Sequence, residues 1–251
     1  MNSSARALKS GPVAFVQRRF SPKGYLGLYL TLGMLVLVVA CYFFAEITED
    51  VVTGDSSVQF DETVATYFHQ RATPAMVKAM YAISFFGSAR FILPTTALIA
   101  VYLGWRRKFY PLAMVILVVG GGTLLNLAVK QVIHRHRPVF ADPIATLTSY
   151  SFPSGHTMDS TLLYGLLAVF FAMSARHTAA KVGIFFFAAI IVALIALSRI
   201  FLGLHYLTDV LGAMAAGVAW LSLCVTGVET YRQRKMAKPA RRRMTVSGHA
   251  R

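Results

Sequence analysis

The fold is decided first by GYLGLYLTLGMLVLVVACYFFA, residues 24–45, a stretch of 22 residues without a charged side chain. As a helix rising about 1.5 Å per residue, it is long enough to cross the roughly 30 Å hydrocarbon core of a bilayer. Basic residues precede it, as they do in a secretory signal. However, it is longer than a signal's apolar region and continues into EITED instead of a small-residue cleavage site. We therefore predict an uncleaved membrane anchor.

The composition of the whole chain agrees with this prediction. Residues of the AVILMFWYC set make up 56% of the 251 residues, and charged residues make up only 14%. A typical soluble domain carries about 25% charged residues. So little charged surface excludes a soluble enzyme, a disulfide-stapled secreted module and a disordered scaffold. Cys41 and Cys224 both lie in apolar runs, so no disulfide framework is indicated.

Five further apolar segments predict additional spans, at residues 84–105, 109–129, 160–175, 182–198 and 210–228. Together with the anchor they predict an all-α polytopic membrane helix bundle with six transmembrane helices. The polar, acidic stretch 46–78 is predicted to be an outer loop with one or two short surface helices. The predicted organisation is a basic N-terminal tail, a membrane domain and a basic C-terminal tail, at residues 1–23, 24–228 and 229–251.

The net charge of +15 is explained by where the cations lie. Of the 25 Lys and Arg residues, 18 lie in the tails or in segment ends that a six-span order places on one side. This is the positive-inside pattern, so we expect both termini in the cytoplasm. We expect the tail after Glu229 to be disordered or to lie on anionic lipid. A nucleic-acid partner is not expected, because basic and aromatic residues are not interleaved on one folded face.

Seven cations are not cytoplasmic in this topology: Arg71, Lys78, Arg90, Lys130, Arg135, Arg137 and Arg199. We interpret the first three as side chains that snorkel to the headgroups. The last four come at or near the outer ends of the third and fifth spans. Charges near membrane depth are costly, so these four are candidates for a functional site.

These four cations belong to two of three short segments that stand out in the sequence. The segments are KQVIHRHRP at 130–138, PSGH at 153–156 and SRIFLGLHYLTD at 198–209. Lys130 and Arg137 are seven residues apart and share a helix face if the helix continues to Pro138. All three segments fall on the outer side of the six-span topology, so they can converge.

The spacing inside the third segment also carries information. His205 and Asp209 are four residues apart, which stacks imidazole and carboxylate on one helix face. Arg199 and His205 are six apart, so both can face one site only if the chain bends around Gly203.

Each of these elements has an ordinary explanation when taken alone. PSGH can be a simple turn, and a single His at a membrane interface need not be catalytic. A His–Asp pair four residues apart can be structural or half of a metal site. The combination of three cations, two histidines and a carboxylate instead describes an anion pocket that contains a nucleophile and an acid.

The ordered motifs KxxxxxxRP, PSGH and SRxxxxxHxxxD resemble the signature of the type 2 phosphatidic acid phosphatase family, the membrane lipid phosphate phosphatases. The six-span layout is similar to that of the bacterial members. The resemblance implies an all-helical core and a metal-independent mechanism without a cofactor. It also implies a phosphohistidine intermediate.

The resemblance assigns a role to each motif residue. His205 attacks phosphorus, Asp209 fixes its tautomer, and His156 protonates the departing oxygen and then activates water. The groups expected to hold the phosphate belong to Lys130, Arg137, Ser154, Gly155 and Arg199. Asp159 either orients His156 or is simply a carboxylate near a helix N-terminus.

An outward-facing site at headgroup depth implies a membrane lipid phosphate substrate in the bacterial inner (cell) membrane, handled on the periplasmic side. The candidates are undecaprenyl pyrophosphate, phosphatidylglycerol phosphate, phosphatidic acid and the phosphates of lipid A. We predict undecaprenyl pyrophosphate, because a chain of bacterial size with an outward site fits recycling of a lipid carrier. The rival functions are a lipid phosphotransferase and a non-catalytic transporter or structural protein. The related vanadium-dependent haloperoxidases share the pocket, but a membrane site disfavours that role.

Overall fold

The computed structural model describes residues 28–54 and 56–247, and side chains at 30–54 and 59–236. The predicted N-terminal tail, 1–23, lies outside the described residues. Within them the chain forms helices and no strand: α1 Leu28–Thr53, α2 Ser56–Gln70, α3 Pro74–Phe85, α4 Ala89–Trp105, α5 Phe109–Val115, a π-helical turn Ile116–Gly120, α6 Gly121–Ile133, α7 Gly155–Ser174, α8 Thr178–Phe201 and α9 Leu207–Ser247.

Six stretches of the described chain are long and apolar enough to span a membrane: Leu30–Thr53, Pro74–Trp105, Phe109–Ile133, Gly155–Ser174, Thr178–Phe201 and Leu207–Met236. The second combines α3 with α4, and the third joins α5 to α6 through the π-helical turn. The predicted all-α, six-span bundle is confirmed. The protein is a multi-pass membrane protein.

The helices are longer than the apolar runs that predicted them. α1 continues seven residues beyond Glu46, and the second span begins at Pro74 instead of residue 84. The hydroxyl of Thr73 caps α3 by accepting from the backbone N–H of Met76, and Pro74 occupies the first turn. Charged residues that were predicted to lie in loops belong to helices, so the loops are shorter than predicted. The first outer loop holds one surface helix, α2.

One condition on helix geometry is not fulfilled, and one prediction about it is wrong. α6 ends at Ile133, because His134 adopts a left-handed conformation with φ 53° and its N–H bonds the Lys130 carbonyl. Lys130 and Arg137 therefore do not share a helix face. His205 likewise precedes α9, which begins at Leu207.

The predicted bend at Gly203 is present. Gly203 has φ +68°. The N–H of Leu204 donates to the Arg199 carbonyl at 3.1 Å, and the N–H of Gly203 donates to the Ile200 carbonyl at 2.9 Å. This pair of bonds is the Schellman arrangement that ends many helices. A Cβ on Gly203 would also lie 3.0 Å from the Phe140 ring. The turn thus brings Arg199 and His205 to one end of the bundle.

α7 is the most buried helix of the bundle and carries the PSGH motif at its start. Met158, Leu162 and Leu166 on α7 are at most 1% exposed. α9 packs closely against α7, since a Cβ on Gly217 would lie 2.9 Å from Thr161. By contrast, large apolar side chains such as Leu98 and Phe186 are mostly exposed on the perimeter. This is the pattern of a bundle whose perimeter faces lipid and whose centre is occupied by α7.

We call the end of the bundle that carries α2, the irregular segment 134–154 and the turn at Gly203 the outer end. α2 lies across it with one buried stripe. Val64 and Phe68 pack with the cluster formed by Ala196, Ile200 and Val210. The Phe68 and Phe201 rings are 5.9 Å apart. α2 is therefore docked on α8 and α9.

The C-terminal tail differs from one of its two expected states. α9 continues beyond Glu229 to Ser247. The described part of the tail is therefore helical, and disorder is the wrong expectation for it. Its contact with anionic lipid stays a prediction.

The topology can be tested by cysteine labelling in a Cys41→Ser, Cys224→Ser background. Glu62→Cys places a thiol on the exposed face of α2, and Arg106→Cys places one at the opposite end. We expect a membrane-impermeant maleimide to label the first variant on intact cells. It should reach the second only after permeabilisation, because the basic clusters stay in the cytoplasm. The reverse pattern would contradict the topology.

Candidate active site

The Asp209 carboxylate at the outer end collects hydrogen bonds from several parts of the chain. Its Oδ2 accepts from the backbone N–H of Tyr206 at 2.9 Å, from the Ser151 hydroxyl, and from His205 Nδ1 at 3.4 Å. The bond to Tyr206 is of the kind that a third-position carboxylate makes at a helix start. Asp209 is fully buried, so these donors fix its orientation.

The contacts of His205 assign its tautomer. Its Nε2 lies 3.1 Å from Nη1 of Arg137. A guanidinium only donates, so Nε2 accepts and the ring proton lies on Nδ1, facing Asp209. Burial lowers the pKa of His205 to about 4, although the Asp209 carboxylate opposes this. At neutral pH His205 is therefore uncharged, and the lone pair on its Nε2 accepts from Arg137.

Lys130 and Arg137 meet at the main chain of residues 149–151. The Lys130 ammonium donates to the Tyr150 carbonyl at 2.7 Å. Arg137 donates to the carbonyls of Ser149 at 2.7 Å, Tyr150 at 3.1 Å and Leu204 at 2.5 Å. Main-chain oxygens of one short stretch thus hold both cations, and Arg137 lies beside His205, although the cations do not share a helix face.

Arg199 approaches from α8. Its Nη1 donates to the Ser84 hydroxyl on α3 at 2.6 Å. The side chain is buried, and its Nε has no hydrogen-bond partner within the described part of the chain. Buried donors without partners are rare in folded proteins. The Nε–H of Arg199 is therefore a hydrogen-bond donor that remains available inside the site.

The PSGH motif forms the start of α7. The N–H of Ser154 donates to the Asp209 carbonyl at 3.1 Å, which ties α7 to α9. The Ser154 hydroxyl accepts from Thr157 at 3.0 Å. A Cβ on Gly155 would lie 3.5 Å from the Asn126 amide oxygen. The first turn of α7 therefore directs its N–H groups, the positive end of the helix dipole, toward the outer end.

His156, on the same turn, lies within electrostatic range of four predicted site residues: Arg199, His205, Arg137 and Lys130. Asp159 accepts a hydrogen bond from the Thr123 hydroxyl at 2.9 Å. Thr123 is thus a partner of Asp159 that neither interpretation of this carboxylate foresaw. The structure brings together all eight residues predicted from the motifs.

Side chains outside the predicted set also join this group: Ser84, Arg135 and Ser151 hydrogen-bond predicted residues, and Asp61 is connected to them through Arg135. Arg135 stood out only as one of the costly outer cations. Asp61 was one carboxylate among the six of an acidic loop, and no local pattern marked Ser84 or Ser151. Their positions depend on long-range packing, so only the tertiary structure identifies them.

A cavity of about 450 Å³ adjoins Arg137 on the outer side. It is lined by parts of the irregular segment together with Gly203 and Leu204. Through Arg137, the cavity adjoins the cation cluster, which consists of Lys130, Arg137 and Arg199.

A six-span bundle with two histidines, a buried carboxylate and three cations at one end defines an integral membrane phosphatase. The chain belongs to the PAP2 superfamily, which matches residues 108–233. It is therefore a type 2 phosphatidic acid phosphatase family member and a lipid phosphatase.

Individual relatives agree with this assignment. Phosphatidylglycerophosphatase B of Bacillus subtilis is 30% identical over 184 residues, which cover 72% of this chain and 89% of that protein. Lipid phosphate phosphatase delta of Arabidopsis thaliana is 30% identical over 114 residues, covering 41% of this chain and 27% of that protein.

Two crystal structures resemble the fold. A transmembrane PAP2 type phosphatidylglycerolphosphate phosphatase from Bacillus subtilis matches with a TM-score of 0.68 at 29% identity, over 79% of this chain and 96% of that one. Aquifex aeolicus LpxE matches with a TM-score of 0.52 over 66% of this chain and 94% of that one. At 19% identity, the second likeness concerns the fold alone.

The assigned state of His205 can be measured directly. In histidine-detected NMR of the purified protein, the signal lost in His205→Gln should show a proton on Nδ1 at pH 7. It should titrate near pH 4, because burial disfavours the imidazolium. Nucleophilic capacity should accordingly be present above that pH and be lost as the pH falls through it. A titration near 6.5, the usual value for His, would contradict the assignment.

Proposed function

We propose that the protein hydrolyses membrane lipid phosphates through a phosphohistidine formed on His205, without a metal ion. The supporting observation is the state of His205. The imidazole is buried and neutral, its Nδ1–H faces Asp209, and its Nε2 faces the cation cluster. A base-oriented nucleophile beside a set of cations is the arrangement that phosphoryl transfer requires.

In the first step, Nε2 of His205 attacks phosphorus and the bond to the lipid oxygen breaks. His156 gives its proton to the departing alkoxide. As the imidazole gains positive charge, the Asp209 carboxylate stabilises it through Nδ1–H. Lys130, Arg137 and Arg199 balance the charge on the non-bridging phosphoryl oxygens.

The present hydrogen bonds of the cations support this role. Lys130 and Arg137 donate to neutral carbonyl oxygens of residues 149–151. A phosphate oxygen is a stronger acceptor, because both partners of the new bond are then charged. Arg199 Nε, buried and without a partner in the described chain, has a donor for the same ligand. Binding therefore exchanges weak bonds for strong ones.

In the second step, His156 takes a proton from water, whose oxygen attacks phosphorus and releases His205. Water reaches the site from the outer side, where the cavity beside Arg137 adjoins the cation cluster. Inorganic phosphate leaves by the same route, while the dephosphorylated lipid remains in the membrane.

Among lipid phosphates, phosphatidylglycerol phosphate is now the first candidate substrate. The support is likeness to a Bacillus subtilis sequence and to a Bacillus subtilis crystal structure whose names both specify this activity. Undecaprenyl pyrophosphate, which the chain's size and outward site favoured, is the second, because the cation cluster can hold the terminal phosphate of either lipid. We place the protein in the bacterial inner membrane with its site toward the periplasm, as the distribution of cations indicates.

The substrate assignment is tested with a panel of lipid phosphates in detergent. We expect fastest release of inorganic phosphate from phosphatidylglycerol phosphate, followed by undecaprenyl pyrophosphate. Activity should persist in EDTA, since three cations already provide the charge that a metal would supply. It should be inhibited by vanadate, which mimics five-coordinate phosphorus. Loss of activity in EDTA with recovery on adding zinc would contradict metal independence. Transfer of the phosphoryl group to an added acceptor lipid, without release of inorganic phosphate when no acceptor is present, would instead identify a phosphotransferase.

The roles of the two histidines are separated by the leaving group. His156→Ala should lose roughly 10²–10⁴-fold with a lipid phosphate, the range for general acid catalysis. With p-nitrophenyl phosphate, whose leaving group needs no proton, phosphorylation of His205 should be much less impaired. Because water activation is also lost, the phosphoenzyme should accumulate. Rapid-quench labelling should then trap phosphohistidine in His156→Ala and none in His205→Ala.

Either of two outcomes would overturn these roles. One is phosphohistidine in the His205→Ala variant. The other is an equal loss with both leaving groups in His156→Ala. The His177→Ala variant is a matched control, because His177 lies before α8 at the opposite end of the bundle and should behave as wild type.

A further inference from the structure

Asp61 is a completely buried carboxylate on α2, outside all three motifs. Its Oδ1 accepts from the backbone N–H of Thr208 at 3.0 Å, in the first turn of α9. Its Oδ2 accepts from Arg135 Nη2 at 2.8 Å and also from the Thr208 hydroxyl. Helix α2, in the outer loop, thus supplies a charged side chain to the first turn of α9, next to the predicted nucleophile.

Arg135 connects Asp61 to the site. Its Nη2 donates to Asp61, and its Nη1 donates to Asp209 Oδ1 at 2.6 Å and to the Thr208 hydroxyl at 2.7 Å. The Tyr206 ring lies 4.5 Å from the guanidinium carbon. Burial acts to lower the pKa of Arg135, but the two carboxylates outweigh it and raise that pKa. Arg135 is therefore a fixed cation shared between two buried carboxylates.

We infer that Asp61 is a positioning residue for the reaction, which acts through Arg135 on the orientation and charge of Asp209 and hence on His205. The inference rests on the proposed roles of His205 and Asp209. It makes α2 part of the catalytic apparatus instead of a connecting helix at the membrane surface.

The charges explain why a second carboxylate is needed. If Arg135 paired with Asp209 alone, it would cancel the negative charge that must stabilise the His205 imidazole during attack. With Asp61 present, Asp61, Asp209 and Arg135 together carry a net charge of −1 by simple addition of two anions and one cation. That charge is opposite to the one that His205 gains as its bond to phosphorus forms.

Orientation depends on the same network. The Arg135 carbonyl accepts from the Ser151 N–H at 2.8 Å, and the Ser151 hydroxyl donates to Asp209. Arg135 therefore supports Asp209 both directly and through Ser151. Because α2 is anchored on α8 by Phe68 and Phe201, Asp61 holds its end of the network rigidly.

The test begins with Asp61→Asn in the full-length protein, assayed with the lipid phosphate that the wild type hydrolyses fastest. Asn keeps an oxygen for the Thr208 N–H but loses the charge that faces Arg135. We expect kcat to fall roughly 10- to 100-fold, the range typical for losing a partner that orients a functional side chain. KM should change less than about twofold, because the interaction acts on the transition state. Glu62→Gln, which removes the neighbouring exposed carboxylate of α2, should retain wild-type kcat.

A double-variant cycle identifies the path through Arg135. Asp61→Asn leaves an unbalanced cation on Asp209, and Arg135→Gln removes that cation. The two losses should therefore not multiply, and the kcat of the double variant should be no lower than that of Asp61→Asn alone. Thermal unfolding and size-exclusion profiles, measured on each variant, ensure that rates are compared per folded molecule.

Three outcomes would overturn the inference: an unchanged kcat in Asp61→Asn, a loss confined to KM, or losses that multiply in the double variant. A parallel His205→Ala measurement keeps this result separate from the proposed function. If His205→Ala retains turnover, the phosphohistidine mechanism fails. If His205→Ala is inactive while Asp61→Asn is normal, the inference about Asp61 fails alone.

Discussion

A carboxylate buried at the end of an apolar bundle must be surrounded by donors, and the donors of Asp209 come from two separate parts of the chain. Ser151 and Arg135 belong to the irregular segment between α6 and α7, while His205 and the Tyr206 N–H belong to the turn before α9. An unsatisfied buried charge is too costly to persist in a folded protein. Satisfying Asp209 therefore brings these segments together and, with them, builds the site.

The positive side of the site is held by a different means. Lys130 and Arg137 are bound by carbonyl oxygens of residues 149–151, which are partial negative charges that do not neutralise them. The protein thus keeps cations close together without cancelling them with carboxylates. The carboxylates lie on the other side of His205, where Arg135 separates Asp61 from Asp209. His205 therefore stands between a cationic region suited to phosphate and an anionic region suited to an imidazolium.

The membrane bundle supplies rigidity to this charge arrangement. α7 is packed among the other spans along most of its length, and its first turn carries Ser154, Gly155 and His156. Because α7 is fixed by apolar contacts, the motif residues need few local bonds to remain in place. The polar residues can therefore interact with one another at the outer end of the bundle.

The class of fold, the number of spans and the residues of the three motifs could all be predicted from the amino-acid sequence. Apolar length decides whether a helix can span a bilayer, and Gly203 predicts a bend because glycine readily adopts a left-handed conformation. The sequence did not predict how Lys130 and Arg137 come together once His134 has ended α6, or that Asp61 and Ser151 support Asp209. Local spacing does not reveal these partners, since 147 residues separate Asp61 from Thr208. Only tertiary packing decided them, because burial of a charge is a property of the assembled bundle and not of any one segment.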